Sequence, residues 1–428
     1  MKKLTAVVVG FGGRGATYCS YARTHPEELE IVAVADPNPA RLEVAAQNYR
    51  IPAQHLYTAW ETLAAQPKMA DFAIIGTQDN LHYAPAMALI EKGYHLLLEK
   101  PMAPTPRECK DITEAAERKG VKVIVCHVLR FNNFWRSVKK VIDEGRLGRI
   151  MSIVAMENVG HLHQASGYVR GPWRKAEDSS CMIMAKCCHD MDILQWIIGK
   201  KCTKVQSFGS LSYFTHANRP EGAPSYCIDG CPHGDTCHYN AVKFYIDDKV
   251  THDWFVDYLR TRYGPSVSDE EALHLDCFGR CVFDCDNDVV DHQVVNLEYE
   301  DGTTVSFTMC AFNEGGRFIR IFGTDGELVA SSSKKEMELF TFGAQNWSDE
   351  NQKWETIPID TICNDASGHG GGDTGIMIDV LSLLRGEVPS DSVCDVRVSY
   401  ENHLTGFAAE ESRLTGQVIC LADYERSI

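Results

Sequence analysis

The sequence predicts an α/β protein in two parts: an N-terminal doubly wound parallel sheet over residues 1–127, then an α+β domain with an open, mostly antiparallel sheet over residues 128–428. Three observations predict it. Between residues 4 and 125, apolar β-rich runs alternate with helical stretches, the pattern of a parallel sheet covered on both faces. The first of those runs leads straight into a glycine-rich turn. From about residue 150, strand follows strand, which asks for antiparallel pairing.

The early strands are Ala6–Val9, Ile31–Ala35, Phe72–Ile75, His95–Leu98 and Val121–Cys126. Between them lie explicit helix signals. Asn38-Pro39 supplies an N-cap with proline at the first helical position. Thr105-Pro106-Arg107-Glu108 has the form of a capping box. Gly93, Gly120 and Gly145 stand where helices would stop. In the second part, Met151–Glu157, Thr203–Leu211, His292–Tyr299, Thr304–Cys310 and Phe318–Gly323 read as strands, with Asp301-Gly302 as a hairpin turn. Late helices are expected at Thr374–Arg385 and Arg397–Leu414, and residues 212–290 form a less regular, cysteine-rich insertion.

Composition narrows the function. Of 428 residues, 44% are hydrophobic and 24% charged, and the formal net charge is −17. That charge argues against nucleic acid as a partner, since phosphate binding needs a basic surface. No stretch approaches the roughly 20 apolar residues of a membrane span. The apolar run after Met1-Lys2-Lys3 is too short for a signal peptide, so it is read as a first strand and the protein as cytoplasmic. Most of the seventeen cysteines are scattered singly, as expected of free thiols in a reducing compartment.

The glycine-rich turn is Gly10-Phe11-Gly12-Gly13-Arg14-Gly15, a G-x-G-x-x-G pattern between a strand and a helix. The first glycine makes the turn, the second lets backbone approach a pyrophosphate, and the third lets the helix pack on the sheet. The phosphates then meet the free N–H groups of the helix N-terminus. A second strand ends at Asp36, 21 residues past Gly15. A carboxylate there accepts from the ribose hydroxyls and favours NAD over NADP; alternatively it only caps the helix at Asn38-Pro39. This set predicts a Rossmann domain holding NAD.

Glu99-Lys100-Pro101 closes one strand, and Gly76-Thr77-Gln78-Asp79-Asn80-Leu81-His82 follows another. With the glycine pattern, these resemble the Gfo/Idh/MocA oxidoreductases, the glucose–fructose oxidoreductase and inositol dehydrogenase family. Arg130-Phe131 and His189-Asp190-Met191-Asp192 carry the likeness into the second domain, so that it covers nearly the whole chain. The resemblance implies a carbohydrate or cyclitol substrate, a secondary hydroxyl as the reacting group, and a homo-oligomer formed through the sheet. It places Thr77, Asn80, His82, Glu99 and Lys100 around the cofactor, and Lys100 and His189 at the reacting hydroxyl. A lysine there stabilises alkoxide charge and a histidine takes the proton; without the resemblance, Lys100 would read as a surface lysine and His189 as a capping or core histidine. Asp192, three residues on, is expected to orient the imidazole. Many sugar dehydrogenases of this type carry an aspartate four residues before the histidine. Here that position is Ala185, followed by Lys186. Either Lys186 supplies the missing function or His189 works with Lys100 alone.

Asn158, His161, His163, Tyr168, Arg170, Trp173 and Arg174 fall between the first strand of the second domain and the His189 helix. Such a mixture suits a sugar or an anion, and equally a solvated loop. Of these, His161, Tyr168, Arg170, Trp173 and Arg174 are taken as substrate contacts, as is His369 in Gly368-His369-Gly370-Gly371-Gly372-Asp373. The glycine-flanked His369 is also similar to a feature of the family's NAD-dependent glycosidases, so a redox-neutral glycoside hydrolase or lyase working through a 3-keto sugar is a second reading. A non-catalytic NAD-binding sensor is a third. Finally, Cys227, Cys231 and Cys237 are close enough in sequence to hold a structural zinc ion, with His233, His238 or Cys202 as fourth ligand, or to be free thiols.

Overall fold

The structure is a computed structural model, and it describes residues 2–249, 259, 266–343, 354–359 and 369–428. Gly368 and parts of the cysteine-rich insertion, 250–258 and 260–265, lie outside the described residues.

The first sheet joins β1 (Leu4–Val9), β2 (Leu29–Ala35), β3 (Leu56–Tyr57), β4 (Phe72–Ile75), β5 (His95–Leu98) and β6 (Val123–Val125). All pairs are parallel, in the order β3-β2-β1-β4-β5-β6. Its apolar runs are continuous because both faces are covered: Val7, Val8, Ala73, Ile74, Leu97 and Leu98 are all fully buried. The strand order reverses between β1 and β4. The crevice of a doubly wound sheet opens at the carboxyl ends of such a pair, here Gly10 and Gly76.

Helix caps follow the sequence. Asn38 accepts from Ala40 N–H at 2.9 Å, and Thr105 accepts from Glu108 N–H at 3.2 Å. Glu108 does not reach back to the backbone; its carboxylate takes the Thr105 hydroxyl instead. Gly120 ends its helix in the left-handed conformation. The two-residue strand β3 carries too little pattern to be foreseen.

The second sheet has nine strands: β7 (Ile150–Asn158), β8 (Cys202–Ser210), β9 (His292–Tyr299), β10 (Thr304–Cys310), β11 (Gly316–Gly323), β12 (Gly326–Ser331), β13 (Glu336–Thr341), β14 (Glu355–Pro358) and β15 (Ile419–Cys420), in the order β14-β13-β12-β11-β7-β10-β9-β8-β15. Only β7 and β10 pair in parallel; every other pair is antiparallel. One face buries Ile153, Ala155, Val295, Leu297, Val305, Phe307, Ile319 and Ile321 against the helices Cys188–Ile198 and Val396–Thr415.

One late element returns to the first sheet. The helix Gly372–Arg385 puts Ile376, Met377, Val380 and Leu381 into the core formed by Val8, Phe11, Tyr18 and Ile74. Each such side chain contributes about 1.5–3 kcal/mol by leaving water. Residues 369–373 are thereby held beside the glycine-rich turn. Among the described residues, no helix is long and apolar enough to cross a membrane.

Candidate active site

The glycine-rich turn is built by close backbone contacts. Gly10 has φ +85°, and a Cβ there would stand 2.7 Å from the Gly76 carbonyl. A Cβ on Gly15 would stand 2.0 Å from the Gly10 oxygen. By contrast, a Cβ on Gly13 would meet nothing within 4 Å, and one on Gly12 only the Arg41 side chain at 3.6 Å. So two glycines hold the strand, loop and helix together, while the other two leave the backbone open at the start of the helix Gly13–Thr24. That helix has no acidic residue in its first turn, and its N-terminal N–H groups suit a pyrophosphate. The residues present fit a dinucleotide.

Asp36 is 2% exposed. Its carboxylate accepts from Phe11 N–H at 2.8 Å and Asn38 N–H at 2.9 Å, and Arg41 lies 3.5 Å away. It therefore fastens the glycine loop to the start of the second helix; the bond to Asn38 N–H agrees with the capping alternative, while the bond to Phe11 N–H was not foreseen.

Arg14 is the hub between the two halves of the chain. Its guanidinium donates to Glu99 Oε1 at 2.8 Å and to Asp373 at 2.6 Å. The Tyr18 hydroxyl donates to the same Glu99 oxygen at 2.6 Å, and Lys100 N–H to the other at 2.9 Å. Burial pushes the Glu99 pKa up, but Arg14 and Lys100 outweigh it and hold the carboxyl below the usual range. His369 joins this hub, 3.2 Å from Asp373 and 3.5 Å from Arg14, and its carbonyl accepts from Asn132. His82 ties the Thr77 and Pro101 carbonyls at 3.2 and 2.6 Å. Thr77 Oγ1 donates to Leu81 O at 3.1 Å, and Asn80 is exposed on the same turn.

Lys100 Nζ donates to the Ala185 carbonyl at 2.9 Å. Ala185 ends the short helix Met182–Ala185, and His189 stands in the first turn of the next, Cys188–Ile198. His189 is buried, and its Nδ1 has no hydrogen-bond partner among the described residues. Burial, then the nearby Lys100, His127, Arg317 and His369, lower its pKa well below the usual histidine range. Lys186 points to Glu157 at 3.2 Å. Arg317 bridges Glu157 at 2.8 Å and Asp190 at 2.7 Å.

The expectation for Asp192 is overturned. It accepts both arms of Arg130, at 2.7 and 2.6 Å, and Asn402 at 2.6 Å. Both carboxylate oxygens are taken by Arg130, and no hydrogen bond joins Asp192 to His189 among the described residues. With His127 and Cys394, Asp192 is also the single three-donor cluster with metal-like spacing among the described residues. Arg130 already supplies the cation there.

The 158–174 segment divides. His163 is exposed at the cleft, near the charges of Lys186, Lys100 and Arg317. Tyr168 packs between His163 and Trp173, with ring centroids 5.6 and 5.9 Å apart. His161 Nδ1 is bound to the Asn313 carbonyl at 3.1 Å. The two arginines are not brought to the cleft. Arg170 bonds the Arg280 and Tyr239 carbonyls at 2.7 and 2.6 Å, and Arg174 pairs with Asp286 at 2.8 Å. Cys227, Cys231 and Cys237 line a separate small cavity. Cys202 lies on β8 and is not among its lining residues.

Sequence reasoning missed Glu157, Arg317 and Asp373. It also missed Asp79, which accepts from Ser179 and Ser180 at 2.8 and 3.2 Å and so ties the cofactor domain to the approach of the His189 helix. Its place inside the Gly76–His82 stretch that carries the family likeness was the available signal.

A parallel sheet with an open glycine turn at its switch point, joined to an open-faced sheet domain that brings a lysine and a buried histidine to the same crevice, defines a two-domain nicotinamide-dependent oxidoreductase. Residues 4–127 match the oxidoreductase family with NAD-binding Rossmann fold, and residues 139–421 match the C-terminal alpha/beta domain of the same family. The chain belongs to the Gfo/Idh/MocA oxidoreductases and binds NAD. It is 24% identical to the oxidoreductase YteT of Bacillus subtilis (strain 168), with 82% of each chain covered. It is 27% identical to inositol 2-dehydrogenase 2 of Saccharopolyspora erythraea, over 45% of this chain and 53% of that one. The fold is that of levoglucosan dehydrogenase in complex with NADH and levoglucosan, with a TM-score of 0.70 at 18% identity, covering 98% of this chain and 100% of the other.

Proposed function

We propose that the protein moves a hydride between NAD and a secondary-hydroxyl carbon of a sugar, glycoside or cyclitol, with Lys100 and His189 at the reacting hydroxyl. The observation that carries this is the meeting of Lys100 with the Ala185 carbonyl, 2.9 Å apart, at the turn that presents His189. Bound NAD supplies the hydride acceptor or donor. Lys100 is held by a neutral carbonyl, so its ammonium keeps charge to offer to a developing alkoxide. His189 is kept neutral by burial and takes the hydroxyl proton. Lys186, paired with Glu157, does not replace the missing aspartate; His189 works with Lys100. The names of the relatives point the same way, toward an inositol and an anhydrosugar. The Asp36 carboxylate keeps 2′-phosphate out and makes NAD the preferred cofactor, with Arg41 as the opposing charge.

The redox-neutral reading draws on His163, a further imidazole exposed near Lys100 and Lys186. One experiment separates the two. The protein is denatured, and any released nucleotide is identified by mass spectrometry. Sugars, cyclitols and glycosides are then offered while 340 nm absorbance is followed. A dehydrogenase changes absorbance in proportion to substrate; a glycosidase cleaves with no net change. Failure to release or bind any nucleotide sinks both.

The outer sheet face supports a homo-oligomer. Phe318, Met156, Thr308, Val294 and Phe208 form one cross-strand row on it, with Val294 and Phe208 38% and 54% exposed. An apolar row of this kind is covered by a second copy in a homo-oligomer. Phe208→Lys then shifts light-scattering mass to the monomer.

A further inference from the structure

Arg170 is 1% exposed, yet among the described residues no carboxylate pairs with it. Its guanidinium meets the carbonyls of Arg280 and Tyr239 and, at 3.7 Å, the sulfur of Cys227. The acidic groups facing it are Cys227, Tyr245, Cys285 and Cys281. A buried cation without a counter-charge is costly, so something anionic belongs beside it.

The backbone supplies a candidate. Residues 225–227 and 279–281 run antiparallel: Tyr226 bridges Arg280, Cys227 N–H donates to Gly279 O at 2.9 Å, and Cys281 N–H to Ser225 O at 2.8 Å. This puts Cys227 and Cys281, far apart in sequence, on the same face as diagonal neighbours across the two segments. The turn after Cys231 is closed by Gly234 N–H on Cys231 O at 3.1 Å and Cys237 N–H on His233 O at 2.9 Å. Tyr239 N–H then donates to the Cys237 sulfur at 3.4 Å, an amide aimed at a sulfur that would carry charge as thiolate. Cys227, Cys231, Cys237 and Cys281, with His233, line one cavity of about 20 Å³. That holds a single ion or water, for which about 10–15 Å³ suffices.

We propose that Cys227, Cys231, Cys237 and Cys281 form a structural zinc site whose negative charge is partly offset by the buried Arg170. Four thiolates on a divalent ion carry a net charge of −2, the partner that Arg170 lacks, and the four thiol protons leave to solvent as the metal binds. No three of the sulfurs lie mutually within 4.8 Å, against roughly 3.8 Å for Zn–S bonds of about 2.3 Å, so the ion draws them inward. The fourth ligand is Cys281. His233 turns its Nε2 to the Glu221 carbonyl at 2.8 Å. Because Arg170 directly follows the segment Gln164–Val169, the site also anchors the wall that carries His163 and Tyr168.

The test uses the full chain purified without chelator. Plasma mass spectrometry is expected to give about one zinc per chain, with no acid-labile sulfide. Replacement by cobalt is expected to give the sulfur-to-metal and ligand-field absorption bands of a tetrahedral tetrathiolate, a reading on the unmutated protein that does not depend on any variant folding. Cys231→Ser and Cys281→Ser lose the metal, while Cys202→Ser, Cys285→Ser, His233→Ala and His238→Ala keep it. Arg170→Met weakens zinc by about 10–100-fold. The proposal is overturned if the protein takes up neither zinc nor cobalt and all four thiols alkylate freely. Iron with sulfide also overturns it, as does zinc retained in Cys281→Ser but lost in His233→Ala.

Discussion

The ammonium of Lys100, at the close of a strand in the cofactor domain, donates at 2.9 Å to the carbonyl oxygen of Ala185 in the second domain. The two residues are 85 positions apart, and their contact links the two parts of the chain. A backbone carbonyl orients the ammonium without neutralising it. Lys100→Ala is therefore expected to leave NAD bound, since the glycine turn does not depend on Nζ, and to lower kcat by about 10²–10⁴-fold. Single-turnover absorbance at 340 nm with NAD affinity measured in parallel checks this. Near-normal kcat would move the chemistry elsewhere.

Acid sensitivity follows from the buried histidines. Burial lowers His127 to about 4 and His403 to about 3, and His189 well below its usual range. Above about pH 6.5 both folded and unfolded forms are neutral. Below it the unfolded chain takes protons that the folded protein refuses, so stability falls until the folded groups titrate. At pH 5 His127 and His403 each contribute a loss of about 2 kcal/mol, and His189 acts in the same direction. Glu157, pushed up by burial, works in the opposite direction. Urea midpoints are expected to drop between pH 7.5 and pH 5; equal midpoints would mean that these histidines are solvated.

The Asp192–Arg130 pair is a buried contact in which removing one partner strands the other. Both carboxylate oxygens are used, and both side chains are almost fully enclosed. Asp192→Asn should cost about 3–5 kcal/mol. The half-exposed pair of Arg397 and Glu117 is the control, and Glu117→Gln should cost less than about 1 kcal/mol. Equal urea midpoints for the two variants would contradict this account.

What was legible in the sequence is what the local chain dictates. The glycine turn, the capped helices at Asn38 and Thr105, and the strand before Glu99-Lys100-Pro101 are each defined by a few consecutive residues. Contacts between distant segments were not. Arg14 and Asp373 lie 359 positions apart, and no periodicity links them. Arg170 and Arg174 illustrate a different limit: an arginine among aromatics reads the same whether it faces a sugar or a pair of carbonyls. The strands β12–β14 were missed although Asp325-Gly326 carries the same turn pair as Asp301-Gly302, because their alternation is short and ends in residues rich in charge.

The four glycines of the turn separate fold from function. Ala at Gly15 would drive Cβ to 2.0 Å from the Gly10 oxygen, a backbone atom that cannot yield, so Gly15→Ala should lose both stability and NAD. Gly13 is open on all sides within 4 Å and begins a helix; Gly13→Ala should gain about 0.5–1 kcal/mol from backbone entropy. Gly12→Ala is the informative variant. Its Cβ would meet only the mobile end of Arg41, at 3.6 Å, so the protein should fold with an unchanged melting temperature. The same methyl would stand where the backbone approaches the pyrophosphate, and NAD affinity should fall by more than about tenfold, or about 1.4 kcal/mol. Fluorescence titration beside thermal unfolding reads both quantities, and an unchanged Kd in a stable Gly12→Ala protein would put the pyrophosphate somewhere other than this turn.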